Sequence, residues 1–497
     1  MHEAPSIERR GPGRPAGGRA LALGAALAVA AGVALRVAAA RGDLWLDEIW
    51  TVELARAAGS AAGVLAGLHH DNNHHLNTLW ALLAGEGGSA LAYRLLALAS
   101  SAAMLALAAL RPLAPGRREA VTGAVLLSFS TLLVHYGSEA RGYAPAMLFA
   151  LAGYQALDRW LETGRRGFAL AFAAAGTLGV LSHLTFLFAL AGFGAWAVAE
   201  LVRTRPERAR DPVALALLAA PFVALAALWA VDLRHLRIGG GPPYRIAEVL
   251  RDLSRAVLGL PRGPLELLAV PVALAAGWEV AALARARDPR WVFFASTLVV
   301  APGLLLATTT PQFLAPRYFL VGAPFLLLLF GRALCRLAGA GRAGRRAWAL
   351  ALVLFCAANA APLARLLRDG RGRYSEAVAW MLARTPGEVV TVGSDHAFRN
   401  GLVLAYHAAR AGDPRPLVYV DPGPAVEPPL WYLRHDFSEA PDAAPEISVA
   451  GRRYALAARF PTAGLSGWTW LLYRRESAGG SGSPRLPATG SRPTRGS

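Results

Sequence analysis

Two carboxylates side by side, Asp47 and Glu48, and a knot of His69, His70, Asp71, Asn72, Asn73, His74 and His75 are the densest chemistry-bearing groups in the sequence. Both lie in the stretch 41–79, directly after the first apolar run. A carboxylate at such a place can take a proton from an attacking hydroxyl or amine. Adjacent helical positions point about 100° apart, so only one of the pair can face a substrate squarely and the other must orient or cap. An acidic pair is also what the macrodipole favours in a helix's first turn, and both readings stand on these residues alone. In the knot, His70 and His74 are spaced i, i+4, as are Asp71 and His75. On a helix these would face one divalent metal ion. The other reading is a polar cap in which Asn72 and Asn77 hydrogen-bond loop backbone.

Two further segments carry paired Arg and Tyr. In Ser138-Glu139-Ala140-Arg141-Gly142-Tyr143, the arginine sits just before an apolar run, where a helix N-terminus and a guanidinium together suit a phosphate. Pro316-Arg317-Tyr318 opens a later run in the same way. The simpler readings are a Glu139–Arg141 pair that locks a loop, and an Arg-Tyr pair snorkelling at a membrane interface. Two such segments on one face favour a shared anionic ligand.

The elements that must hold these residues are apolar. Of 497 residues 55% are hydrophobic and 17% charged, too little charge to cover a soluble protein of this length. The runs predict about eleven membrane helices, near 19–40, 90–111, 119–135, 142–160, 167–182, 184–202, 213–231, 264–284, 291–307, 318–334 and 347–366. A net charge of +18 would point to nucleic acid in a soluble chain. Here every basic residue is arginine and most sit in short gaps between apolar runs, so the positive-inside rule accounts for them and nucleic acid is excluded as a partner. That rule places the N-terminus and the basic gaps in the cytoplasm and the 41–89 loop outside. The expected location is a bacterial plasma membrane, the bacterial source being read from the Ala, Arg and Gly bias. Cys335 and Cys356 fit neither a disulfide framework nor a metal site.

Around the acidic pair, Leu46, Ile49, Trp50 and Leu54 recur at helical spacing, which predicts an interfacial helix anchored by Trp45 and Trp50. Short helices are expected over 60–68 and 76–84, and another interfacial helix over 245–258. Residues 1–18 read as a basic cytoplasmic leader and 19–367 as the membrane domain. Over 374–475 the pattern changes to a small extracytoplasmic α/β domain, with strands at 388–394, 417–421, 454–460 and 469–474 and helices at 375–384 and 396–410. Residues 476–497 are a Gly/Ser/Pro-rich tail. Its Leu486-Pro487-Ala488-Thr489-Gly490 matches a sorting pentapeptide but lacks the apolar and basic segments that must follow one.

Taken in order, DLWLDEIWT, NNHHLNTLW, SEARGYA and APRYFL resemble the ordered motifs of the GT-C glycosyltransferases of the protein O-mannosyltransferase, aminoarabinose transferase and RgtA/B/C/D-like group. The resemblance covers about 41–320 and departs at His75, where many relatives have proline. It implies a membrane enzyme that moves a sugar from a polyprenyl-phosphate donor to a protein, lipid or polysaccharide acceptor. Asp47 would be the general base with Glu48 beside it. Arg141 and Arg317 would stabilise the leaving phosphate, His74 and Glu139 would contact the sugar or a metal ion, and Asn77, Tyr143 and Tyr318 would bind substrate. The candidate ligands for a divalent metal ion are His70, His74 and Glu139. The rival classes are a transporter or flippase of a lipid-linked glycan, which calls for an internal repeat and midplane polar groups, and a non-catalytic envelope scaffold.

Overall fold

The computed structural model describes residues 16–236, 244–309, 313–421, 423, 427–438 and 441–476. The leader expected over 1–18 and the tail over 476–497, with its pentapeptide, lie outside these residues except at their inner ends. Two compact units divide the chain. The first runs to Arg371 and takes in Thr462–Gly467; the second comprises Gly372–Pro461 and the segment from Trp468 on.

The first unit is helical: α1 (Ala16–Ala39), α2 (Leu46–Ala58), α3 (Ala61–Ala66), α4 (His75–Ala84), α5 (Ala90–Leu110), α6 (Arg117–Phe129), α7 (Thr131–Tyr136), α8 (Tyr143–Thr163), α9 (Arg166–Ser182), α10 (Leu187–Ala199), α11 (Pro212–Val231), α12 (Ile246–Leu258), α13 (Ala269–Arg285), α14 (Arg290–Ala295), α15 (Ala301–Thr308), α16 (Ala323–Gly339) and α17 (Arg342–Asp369). Among the described residues, seven helical stretches are long and apolar enough to cross a membrane: Gly18–Ala39, Ala90–Leu110, Leu184–Thr204, Pro212–His235, Pro264–Arg285, Arg290–Thr308 and Arg342–Asp369. Each of the eleven expected spans meets a helix. Yet α6 has 13 residues, α9 and α16 have 17 each, and α8 carries Asp158, Arg159 and Glu162. Helix length and composition among the described residues therefore support seven of the eleven expected crossings. The outward faces are apolar, with Leu27, Val223, Trp229, Leu274, Trp278, Val299 and Val353 all more than half exposed. Water would penalise such faces and hydrocarbon solvates them. The chain is a multi-pass membrane protein.

The third expected span is broken at Ser130. Asn359 of α17 repairs the break, its Oδ1 accepting from the Thr131 N–H and hydroxyl at 2.8 Å each and its Nδ2 donating to the Leu258 carbonyl at 3.1 Å. A helix broken at membrane depth requires such partners, because no water is there to supply them. Amphipathic α12 buries Val249, Val257 and Leu258 and leaves Glu248, Arg251 and Asp252 exposed, as an interfacial helix should.

The second unit holds a six-stranded sheet in the order β2-β1-β3-β6-β5-β4. Its strands are β1 (Val390–Ser394), β2 (Leu417–Tyr419), β3 (Trp431–Asp436), β4 (Glu446–Val449), β5 (Arg452–Phe460) and β6 (Thr469–Arg475). β1 runs parallel to β2 and β3; the other pairs are antiparallel. Helices α18 (Tyr374–Arg384) and α19 (Ala397–Ala408) complete it. Four strands were expected; β3 and β4 were not. In β3, Trp431 and Leu433 are buried and alternate with less buried neighbours, but Arg434, His435 and Asp436 dilute the apolar signal.

Candidate active site

The site is assembled where the start of α2 meets the 137–142 loop. Asp47 and Glu48 occupy the first turn of α2 and point to different partners. The Glu48 carboxylate is fully buried and gripped by Arg94 of α5, with Nε at 2.7 Å and a terminal nitrogen at 2.5 Å. It also accepts from the Ala140 N–H at 2.7 Å and the Trp45 N–H at 3.3 Å. Burial alone would push this carboxyl up, but the Arg94 charge and hydrogen bonds outweigh it and hold Glu48 below the usual carboxylate range. Arg94 also donates to the carbonyls of Ala40, Gly42 and Asp43. Glu48, expected beside Asp47 in catalysis, is thus engaged in fixing the start of the helix that carries Asp47. The reason is that both its oxygens are already bonded.

Asp47 faces two arginines instead. Its Oδ2 lies 3.5 Å from Arg141 and 3.7 Å from Arg317. Its backbone carbonyl accepts from Thr51 at 2.9 Å, Asn72 at 3.0 Å and Arg141 at 3.3 Å. Asn72 Oδ1 in turn accepts from Arg141, so Asn72 clamps α2 to the Arg141 guanidinium. Arg317 lies over the rings of Trp45, Phe313 and Tyr318, at 5.8, 5.7 and 6.0 Å from their centroids. Trp45, expected at the membrane interface, is buried, and its indole N–H donates to Glu139 at 2.5 Å. Glu139 is fully buried, and burial pushes it up to about 7 against the pull of Arg371.

His74 and His183 form the adjoining wall, their rings 4.3 Å apart and both against Tyr143. His74 Nδ1 accepts from the Gly142 N–H at 2.9 Å, and His183 Nδ1 from the Thr185 N–H at 3.1 Å. Burial, then the Arg141 charge, holds His74 well below its ordinary range and pushes His183 down to about 3. Both imidazoles are therefore neutral, and the accepting Nδ1 of His183 leaves its proton on Nε2 as a donor. His74 Nε2 lies 3.4 Å from an Arg141 nitrogen. The wall thus offers several donors beside the Asp47 carboxylate, an arrangement suited to an anionic ligand.

No protein-family model matches the sequence, and no curated protein matches it significantly. Among solved structures the chain is similar to the apo crystal structure of ArnT from Cupriavidus metallidurans, with a TM-score of 0.50, 13% identity, and coverage of 90% of this chain and 97% of that one. The chain has the GT-C fold. Similarity at lower TM-score extends to the same ArnT bound to undecaprenyl phosphate (0.44, 15% identity, 94% of this chain and 100% of that one). It extends also to the arabinosyltransferase EmbB from Mycobacterium smegmatis (0.44, 18% identity, 82% and 38%).

On this GT-C frame the histidine knot is not the helix its spacing allowed. Helix α4 begins only at His75, and His70–Asn73 form a turn closed by the Asn73 N–H on the His70 carbonyl at 2.9 Å. His70 pairs with Asp71 at 3.0 Å and packs edge-on to Trp50. The proposed metal set of His70, His74 and Glu139 therefore does not converge, each being committed to different neighbours. Among the described residues no group of three or more His, Cys, Asp or Glu is arranged to hold a metal. Asn77 ties α4 to the site loop through the Ala140 carbonyl at 2.7 Å. Tyr318 borders Arg317 and is partly buried.

Sequence reasoning missed two residues that position this part of the GT-C fold. Arg94 is a charge inside an apolar span, a pattern that by itself calls for a partner. Asp232, at the end of an apolar run, is fully buried and takes His69 Nδ1 and His75 Nε2 on its two oxygens at 2.7 Å each. It thereby pins the start of α4, and with it His74, to the end of α11. Asp232→Asn is expected to lower kcat by up to about a hundredfold through displacement of His74. Steady-state kinetics on monodisperse protein checks this; an unchanged kcat removes Asp232 as a positioning residue.

Proposed function

We propose that this protein is a membrane glycosyltransferase that moves a sugar from a polyprenyl-phosphate donor to an acceptor on the extracytoplasmic face of a bacterial plasma membrane, with inversion at the anomeric carbon. The observation that carries the reading is the convergence of Arg141 and Arg317 on Asp47 within a largely buried, donor-rich wall of a GT-C fold. Two guanidiniums exceed the charge of one carboxylate, and a phosphate supplies the balance.

In the proposed reaction the acceptor hydroxyl or amine attacks C1 of the sugar in line. The C1–O bond to phosphate breaks, and Asp47 takes the acceptor's proton. Lipid phosphate departs as an anion, and Arg141 and Arg317 stabilise the charge it gains in a site with little water. As Arg141 and Arg317 engage the phosphate, their hold on the Asp47 carboxylate loosens and leaves it available as base. His74, Asn77, Glu139, Tyr143 and Tyr318 line the same region as sugar or phosphate contacts. Glu48 acts by holding Asp47 in place.

Reconstituted protein offered radiolabelled polyprenyl-phosphate sugars tests the reading: transfer to an acceptor with release of lipid phosphate is expected, and translocation without transfer would point to a flippase. Arg317→Ala should weaken donor binding or the chemical step by at least about tenfold, the scale of one lost charge-assisted hydrogen bond. Wild-type kinetics in that variant would remove Arg317 from the phosphate site.

A further inference from the structure

The segment 462–467 joins β5 to β6, yet it belongs with the helical unit rather than with the sheet. Gly464 and Gly467 take the left-handed region, with φ of +90° and +74°, which lets so short a turn close. Its contacts are specific. The Ala463 N–H donates to the Gly370 carbonyl at 3.0 Å, and Thr462 Oγ1 to the Ser466 carbonyl at 3.2 Å. The Tyr136 hydroxyl donates to the Leu465 carbonyl at 3.1 Å, and Leu465 packs against the main hydrophobic core. Thr462 and Ser466 are both buried. At the apex Ser466 Oγ donates to Glu139 Oε2 at 3.4 Å. The other oxygen of that carboxylate accepts from Trp45 Nε1, and the Trp45 ring lies beneath the Arg317 guanidinium.

We infer that Ser466 is a positioning residue of the active site, acting through Glu139 and Trp45 on Arg317, so that the 462–467 turn is a working part of a site whose other residues lie between 45 and 318. This rests on the reading of Arg317 as a phosphate ligand. A buried carboxylate shared by two donors has one orientation; with a single donor it can rotate. The indole would then lose its fixed acceptor, and the guanidinium its fixed platform. A merely structural turn would affect folding without affecting the titration of Glu139 or the placement of the indole.

The test follows the Trp45 indole N–H resonance in full-length protein in nanodiscs, assigned by its disappearance in Trp45→Phe. In the wild type this resonance should titrate near pH 7, because burial pushes Glu139 up to about 7. Loss of a donor to the carboxylate disfavours its ionised form, so Ser466→Ala should move the midpoint upward, Ser466→Thr should restore it, and Glu139→Gln should abolish the titration. In transfer assays Ser466→Ala should lower kcat about threefold to tenfold with little change in KM, and Ser466→Thr should recover it. An indole midpoint unmoved in Ser466→Ala would overturn the inference, as would a kcat loss that Ser466→Thr does not recover. If the wild type transfers no sugar, the functional reading fails while the indole titration still decides the role of Ser466.

Discussion

Asp47→Asn is expected to abolish sugar transfer, lowering kcat by about 10²–10⁴ while the protein stays folded and still binds donor. The asparagine is isosteric and can keep a hydrogen bond to Arg141 or Arg317, but it cannot take the acceptor's proton. Removal of one negative charge from beside two guanidiniums also leaves a more positive wall, so donor affinity should hold or rise. This pairing, lost kcat with KM unchanged or lower, separates a missing base from a missing binding group. Near-normal turnover in Asp47→Asn would reject Asp47 as the base.

Arg94→Met should have the largest effect on stability. The substitution leaves Glu48 fully buried without its bonded countercharge, with only the more distant Arg371 charge remaining, a change that costs about 3–5 kcal/mol. It also frees the carbonyls of Ala40, Gly42 and Asp43 that Arg94 holds. Thermal unfolding in detergent should show a clear fall in Tm, and activity should fall with it. Restoring charge neutrality in Arg94→Met with Glu48→Gln should recover part of the loss. No recovery would mean that the three carbonyl contacts, not the ion pair, carry the effect. The pH dependence has a definite sign. Because Glu48 is held below its ordinary range, its contribution is present above the unfolded-state value and is lost as the pH falls through the depressed folded value.

The two predictions concern neighbours in sequence with different fates, and this marks how far the sequence could be read. Adjacent helical positions must diverge, so one carboxylate for chemistry and one for orientation follows from backbone geometry. Which partner each meets does not. Glu48 meets Arg94 across 46 positions and Asp47 meets Arg317 across 270, and no local pattern encodes such pairings. The apolar runs were legible because hydrophobic length is a local property. The number of crossings was less so, since α6 with its break at Ser130 and α8 with its charges are helices without being long apolar ones. In the second unit β5 and β6 were plain, but β3 is diluted by charge and β4 is four residues long.

The histidine knot shows the opposite error. A spacing of i, i+4 implies a shared face only on a helix, and the chain turns at His70–Asn73 before α4 begins. The imidazoles then scatter. His69 and His75 go to Asp232, His70 to Asp71 and Trp50, and His74 to the Gly142 N–H. Asp232 was legible as a charge at the end of an apolar run, and its binding of two histidines of the first loop was not. The turn at 462–467 is short, rich in small residues and between two strands, so nothing in its composition separates it from an ordinary hairpin connection.

The central claim is an inverting transfer from a lipid phosphate with Asp47 as base. Its most direct measurement is the anomeric configuration of the product, determined by NMR, together with the stoichiometry of lipid phosphate released by purified protein in nanodiscs. From a donor of known anomer the account predicts product of opposite configuration, one lipid phosphate released per sugar transferred, and neither with Asp47→Asn. Product of retained configuration, or full transfer by Asp47→Asn, would contradict it.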